Sequence, residues 1–477
     1  MRTPLLSVLL MLSLAACKLG PNYVRPEAET PPAFKEAKEW KPAQPSDAAP
    51  RGPWWSVYND PILDSLEQQV AISNQNLKAA EAAFRQARAI VHESEAALFP
   101  VISATGSAQH TGSGSRGIGR TGSQFTVTGQ AGWEIDLWGR IRRQIESNVA
   151  TAQASAADLA NAQLSAQALL ASDYLQLRIS DQLKKLLDDN VADFRLSLVI
   201  TQNRYRSGVA ARSDVASAQA LLDGTRAQSI AVGVQRAAFE HAIAVLIGKP
   251  PAEFSIEPKR YDLHVPDIPV AVPSALLERR PDIAGDERRI QSANALVGVA
   301  IAAYYPTLNL TASYGFSSPS LGSLLEGPNS LWAVGGQVAE TIFDFGQRAG
   351  QVEAARAFYD ESVANYRQTV LTAFQQVEDE LAALRILDQE DAVQRNAVKS
   401  AQEAVQLFIN QYKAGTVAYT SVITAQTTAL QDEQSQLNIM QSRLLASVSL
   451  IEALGGGWDA AQLPNEDQLG EGREVFP

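Results

Sequence analysis

The chain has 477 residues, 45% of them hydrophobic, and its 40 Lys and Arg against 52 Asp and Glu leave a net charge of −12. That acidic balance speaks against a nucleic-acid partner. A single Cys excludes an internal disulfide framework and a cysteine metal cluster.

At the N-terminus Arg2, an apolar run from Leu5 and Leu14-Ala15-Ala16 before Cys17 predict a lipoprotein signal peptide over 1–16. The run is too short to cross a bilayer as a helix, which takes about 20 residues. Leu-Ala-Ala-Cys resembles the bacterial lipobox, so covalent diacylglycerol on the Cys17 thiol and an N-acyl chain on its amine, palmitate among them, are expected, and no other cofactor or metal. Lys18 stands where an Asp would retain such a lipoprotein in the inner membrane, which favours an outer-membrane address. Residues 17–61 hold nine of the chain's 23 prolines and predict an extended, lipid-anchored tether.

The first repeat, 62–258, carries two alternating segments at about 101–110 and 124–138. Ile102, Ala104, Gly106 and Ala108 alternate with Ser103, Thr105, Ser107 and Gln109. Phe125, Val127, Gly129, Ala131, Trp133, Ile135 and Leu137 alternate with Thr126, Thr128, Gln130, Gly132, Glu134 and Asp136. Strands of about ten residues with one apolar and one polar face suit a membrane barrel. Two helices follow, 140–204 and 209–248; the first contains neither Pro nor Gly, and at about 1.5 Å per residue it would run for roughly 100 Å. Its Ala-rich seam, with Ala152, Ala156, Leu159, Ala166 and Leu170, favours close helix approach.

The second repeat, 259–458, returns the same order: a helix over 281–304 opened by Pro281 and Asp282, strands at about 307–317 and 330–345, and helices 347–412 and 416–454. Alternation fails around Gly335-Gly336, where a bulge is expected. Val370, Phe374, Val377, Leu381 and Leu384, then Val398, Ala401, Val405, Phe408 and Tyr412, are spaced by threes and fours as in coiled coils. Ala97-Leu-Phe-Pro100 recurs as Ala303-Tyr-Tyr-Pro306, and Tyr205-Arg-Ser-Gly208 as Tyr412-Lys-Ala-Gly415, so the chain is internally duplicated. Residues 459–477, polar and acidic, predict a flexible tail. Single-chain membrane barrels start at about eight strands and lipid tolerates no open sheet edge. Four strands must therefore be completed by other copies, and three copies give twelve.

With these elements in place, the chain resembles the outer-membrane factors, the TolC-like channels of tripartite efflux pumps, in their lipoprotein branch. The resemblance spans nearly everything after Cys17 and is carried by Cys17-Lys-Leu-Gly-Pro-Asn-Tyr-Val-Arg-Pro26, Leu277-Glu-Arg-Arg-Pro-Asp-Ile283, Ala302-Ala-Tyr-Tyr-Pro306, Asp344-Phe-Gly346 and Tyr412-Lys-Ala-Gly415. It implies a membrane β-barrel plus a long α-helical coiled-coil barrel, with twelve strands in the outer membrane and twelve helices in the periplasm of a homotrimer. It further implies a periplasmic adaptor (membrane fusion) protein and an inner-membrane transporter of the resistance-nodulation-division class as partners. The chain would be a passive, gated conduit for drugs or other toxic solutes. The family's gate tyrosine falls on Tyr412 and its first-tip aspartate on Asp214. Its gate arginine falls on Val417, and its two tunnel-constricting aspartates fall on Ser421 and Thr424, so that ring is missing here. Arg204, Arg206, Arg212 and Lys413 make the tips basic, which suits contact with an adaptor or with neighbouring acids.

Catalysis has little to stand on. Glu134 with Asp136, or Glu340 with Asp344, could form an acid–base pair, and His92, His110, His241 and His264 could be ligands. No nucleophile elbow, zinc spacing or phosphate loop accompanies them. Alternatives within the channel reading are type I protein secretion and metal efflux; the three Met and four His argue against a copper- or silver-handling lumen. A structural coiled-coil lipoprotein would leave the amphipathic strands unexplained.

Overall fold

A computed structural model describes residues 18–39, 53–112, 121–259, 264–268 and 276–470. The signal peptide and Cys17 lie outside the described residues, as do 40–52 of the tether and 471–477 of the tail.

Helix α1 (Pro61–Ser73) opens where Asp60 Oδ1 accepts from the Ile62 N–H at 2.8 Å, and α2 (Gln75–Ala96) opens where Asn74 Oδ1 accepts from Asn76 and Leu77. Strands β1 (Val101–Gly112) and β2 (Thr121–Ile135) follow, then the hairpin of α3 (Arg140–Arg206) and α4 (Arg212–Leu246). The second copy supplies α5 (Pro281–Ala302), β3 (Thr307–Ser318), β4 (Ser330–Ala339) and the hairpin of α6 (Gln347–Ala414) and α7 (Tyr419–Ala453). The duplication thus reaches back to the helix before each strand pair: α2 and α5 are both 22 residues, α3 and α6 are 67 and 68, and α4 and α7 are both 35.

The strands form one antiparallel sheet in the order β1-β2-β3-β4. Its register superposes the apolar positions: Val127 faces Gly106 and Phe316, Ala131 faces Ile102 and Ala312, and Tyr314 faces Gly129 and Trp332. One side is therefore apolar along all four strands, and β1 and β4 are exposed throughout. On the other side Gln124 and Thr126 hydrogen-bond to Ser317 at 3.0 and 3.1 Å. The ladder between β3 and β4 runs unbroken, with Gly335 opposite Thr311 and Gly336 opposite Leu310, so the expected bulge is absent. β4 ends at Ala339 rather than 345 because β3 begins at Thr307, its partner, and offers nothing further along. β2 ends at Ile135, opposite Leu308, rather than at 138.

The helices pack around α3, which touches α2, α4, α5 and α7, whereas α6 lies against α5 and α7. The main core gathers Leu63, Leu66 and Val70 of α1, Leu170, Tyr174 and Leu177 of α3, and Val370, Ala373 and Val377 of α6. Each fully buried Leu or Val among them contributes about 1.5–3 kcal/mol. Of the Ala-rich seam, Ala152 and Leu170 are buried and Ala156, Leu159 and Ala166 half-buried. A cross-hairpin ion pair recurs at the same place in each copy, Arg236 to Asp181 at 2.7 Å and Arg443 to Asp388 at 2.5 Å. Among the described residues no helix is long and apolar enough to cross a membrane.

Two sequence expectations are corrected. The tether is not free over 18–39: Asn294 donates to Pro21 O, Tyr23 donates to Glu287, Phe34 is buried against Phe374, and Glu36 pairs with Arg385. Buried Arg143 donates to Leu19 O at 2.9 Å and Asn22 Oδ1 at 2.9 Å, fixing the start of that segment. Nor is the tail loose over its first dozen residues, because Leu469 on α8 (Glu466–Gly470) is buried beside Val91, Ile141 and Ile145. In both segments, scattered apolar side chains find grooves between helices that the local composition does not announce.

Candidate functional site at the hairpin tips

Three of the four carboxylates weighed for catalysis, Glu134, Asp136 and Asp344, are held in ion pairs where strand meets helix. Glu134 takes a two-pronged bond from Arg140 at 2.8 and 2.9 Å, Asp136 pairs with Arg142 at 3.1 Å, and Asp344 with Arg348 at 2.5 Å. The groups singled out in the sequence converge instead at the far ends of the two long hairpins.

Both tips turn in the same way. Gly208 and Gly415 adopt φ of +75° and +80°; Val209 N–H reaches back to Arg204 O, and Thr416 N–H to Gln411 O. This is the bonding of a helix closed by a left-handed glycine. In the first tip Asp214 Oδ2 accepts from the Ala211 N–H at 3.3 Å, so its carboxylate helps start α4. Arg206, Arg212 and Ser207 are exposed.

The second tip folds its aromatics inward. Tyr412 and Tyr419 are buried, with ring centroids 5.1 Å apart, in a cluster with Phe194, Leu198, Ala218 and Leu222 of the first hairpin. Arg204 crosses between tips: its guanidinium lies 4.7 Å from the Tyr412 ring centroid and donates to Lys413 O at 3.0 Å. Gln426 donates to Ser197 Oγ at 2.8 Å, a second polar tie between the hairpins. Burial pushes Tyr419 up to about 12, aided by nearby Tyr412 and Asp214 and opposed by a hydrogen bond with Thr201, so it is a neutral phenol at neutral pH. Tyr412 Oη is buried without a hydrogen-bond partner among the described residues.

Tyr412, Arg204 and Lys413 are thus brought together, while Asp214 accepts from the Ala211 N–H and serves its own helix start. Val417 is half-buried against the aromatic cluster, an apolar filler where the resembling channels carry a cation. Ser421 and Thr424 line a groove of about 430 Å³ between α6 and α7 with Ala401, Ala404, Phe408, Thr420, Ala425 and Thr428. Small side chains and hydroxyls make that wall neutral. Tyr419, Thr201 and Gln426 were not singled out from the sequence. Setting the two copies side by side would have exposed Tyr419, which stands where the first copy has Arg212.

The model of the outer membrane efflux protein family matches this chain twice, over 66–249 and 272–456, one match for each copy. The probable efflux pump outer membrane protein TtgC of Pseudomonas putida is 31% identical over 453 residues, covering 93% of either chain. The pyoverdine export outer membrane protein OpmQ of Pseudomonas aeruginosa is 30% identical over 87% of this chain and 89% of its own. Among solved structures, the outer-membrane channel OprN superposes with a TM-score of 0.87 at 28% identity, covering 93% of this chain and all of that one. The open state of the Neisseria gonorrhoeae MtrE outer membrane channel gives 0.83 at 27% identity over 93% and 99%.

Proposed function

The chain belongs to the outer membrane efflux protein family, and from that membership we propose that three copies form one gated conduit serving a periplasmic adaptor and an inner-membrane transporter. The observation that carries this reading is the sheet: four strands with a continuous apolar side, two unpaired edges, and helices of 67 and 68 residues leading away from its inner end. In lipid such a sheet must close, and three copies close it with twelve strands above a tunnel of twelve helices. Solute would pass through the water-filled interior, driven by the transporter. Drugs and other small toxic solutes are the proposed cargo, in keeping with relatives that handle toluene and antibiotics.

An acylated Cys17 fits the same arrangement. Leu19 N–H donates to Trp138 O at the junction of sheet and helices, and Lys18 reaches Glu146 at 3.6 Å, so the chain next to Cys17 lies at the inner membrane surface of the barrel. The tunnel end is closed by the packed tips, with Tyr412 and Asp214 as gate residues and Arg204 as the strut between tips. Exposed Arg206 and Lys413 present positive charge for the adaptor. With Ser421 and Thr424 neutral, this tunnel end lacks a carboxylate ring to hold cations.

The test is electrical and mass-based. Native mass measurement in detergent is expected to give a trimer, and Asp214→Ala with Tyr412→Phe is expected to raise single-channel conductance in planar bilayers. A stable monomer would overturn the shared barrel, and an unchanged closed state would remove those two residues from the gate.

A further inference from the structure

In each copy the return helix ends against the start of the short helix, and the joint is made in the same way. Asn74 before α2 donates to Leu246 O at the end of α4 at 2.8 Å, and Arg280 before α5 donates to Ala453 O at the end of α7 at 3.2 Å. The left-handed Gly248 and Gly455 let the chain press on Ser73 and Arg279, where an added Cβ would collide with the carbonyl oxygen. The backbone of the joint was duplicated, but its side chains were not. Where the first copy has Asn74, Asn76, Leu169 and Val245, the second has Arg280, Asp282, Gln376 and Glu452.

The second joint holds a cavity of about 380 Å³, large enough for a small organic molecule, next to another of about 260 Å³ that shares Arg280, Asp282 and Gln376. In the smaller one each carboxylate has an arginine: Arg289 pairs with Asp158 and Asp286 at 2.6 and 2.9 Å, and Arg280 with Asp282 at 2.6 Å. In the larger one Glu380 and Glu452 have none. Arg280 is taken up by Asp282, Gln376 and Ala453 O, Glu452 accepts from Ser165 Oγ at 2.8 Å, and among the described residues no cation pairs with Glu380. Burial raises the pKa of both carboxyls, aided by Asp379 at Glu380, and at Glu452 opposed by Ser165 and Arg280 and aided by Asp282. A positive group brought between them would offset that cost.

The cavity opens away from the tether, which leaves the lipid anchor and so runs along the outside of the wall. Phe34 packs on Phe374, the Lys35 and Glu36 N–H groups donate to Glu378 at 2.6 and 2.9 Å, and Tyr58 Oη meets Ser447 Oγ at 2.7 Å. Gln376, Glu380 and Ser449, which line the cavity, each stand two residues further on, about 200° round their helices. They face the tunnel.

We propose that this cavity is a binding site for cationic cargo, in which an ammonium or amidinium group of a small organic solute sits between Glu380 and Glu452 while Leu164, Pro281 and Ala453 take its apolar part. Among the described residues no group of three or more acidic, His or Cys side chains is arranged to hold a metal ion, so the occupant is an organic cation. The first joint, with Val245 in place of Glu452, offers no such seat. The tunnel-facing position rests on the conduit reading; the cavity itself is built by α3, α5, α6 and α7 of one chain.

The probe is benzamidinium, with benzoate as the matched anion, titrated calorimetrically into the full-length chain in detergent, with native mass measured on the same sample. Saturable binding of one benzamidinium per chain is expected, with none for benzoate. Glu380→Gln with Glu452→Gln is expected to weaken it by about tenfold or more, Ser449→Phe to abolish it by filling the cavity without a change of charge, and Asp173→Asn, at the place of Glu380 in the first copy, to leave it unchanged. No binding, or equal binding by the native chain and the double variant, overturns the site. A trimer that fails to bind leaves the conduit standing, whereas a monomer that binds keeps the site and overturns the conduit. In planar bilayers benzamidinium is expected to lower the single-channel current of the native trimer and not that of the double variant; binding without block overturns the tunnel-facing position.

Discussion

Tyr205 and Tyr412 occupy the same turn of duplicated helices, three residues before a left-handed glycine, yet Tyr205 is 45% exposed and Tyr412 5%. The backbone of the tip was copied; its surroundings were not. In the second tip Tyr419 and the Arg204 guanidinium flank the ring, whereas the first tip has Arg212 where Tyr419 would stand, and the second hairpin carries Gln411 at the place that Arg204 holds in the first. Duplication fixes where a side chain begins, and the neighbours across the hairpins decide whether it is buried.

The largest effect expected from this contrast is at the tyrosines themselves. Tyr412→Ala removes a buried aromatic and is expected to cost about 3–5 kcal/mol, while Tyr205→Ala stays within about 0.5 kcal/mol. Amide exchange of the tip residues in detergent reads both, and equal losses would break the contrast.

A second difference lies further up the hairpins, at Asp173 and its counterpart Glu380. Burial pushes Asp173 up to about 6, and burial followed by the Asp379 charge pushes Glu380 up from a more open position. A carboxyl raised on folding contributes most below its unfolded value near 4, and that contribution is lost as pH rises through about 6. Asp173→Asn is expected to remove roughly 2 kcal/mol of this pH dependence between pH 4 and 8, measured as the change in melting temperature across that range. Glu380→Gln is expected to remove less, and the reverse order would show that the copies are not differentiated here.

The smallest effect tests what the tips share. Gly208→Ala and Gly415→Ala each force a Cβ into the left-handed region at about 1–2 kcal/mol. An added Cβ at Gly208 meets open space and one at Gly415 comes no nearer than 3.6 Å to Arg204, so the two melting shifts are expected to match. A clear inequality would mean that the turns differ in more than their side chains.

Much of this architecture was legible because its signals are periodic. Alternation in Phe125–Ile135 placed a two-faced strand, the absence of Pro and Gly from 140–204 placed a long helix, and repeated Tyr-x-x-Gly marked both tips. The apolar seam from Val370 to Leu384 named residues that are buried. Strand ends were less legible, because 340–345 reads as strand from its composition while pairing stops at Ala339, opposite the first residue of β3. Gly335-Gly336 read as a bulge because glycine blurs alternation; the ladder passes straight through.

The gate divides along the same line. Family resemblance put Tyr412, Asp214, Val417, Ser421 and Thr424 at the tips, and the fold adds that Tyr412 leans on Tyr419 and Arg204 while Asp214 starts its own helix. What the sequence determined by itself is set by local chemistry and period: two copies of a unit, the faces of its strands, the lengths of its helices and the glycines that turn them. What only the tertiary structure decided is set by neighbours distant in the chain: the docking of residues 18–39 and Leu469, the burial of one tip tyrosine and not the other, and the cavity where α7 meets α5. Burial and hydrogen bonding across helices depend on which surfaces meet in space, and no window of sequence contains both sides of such a contact.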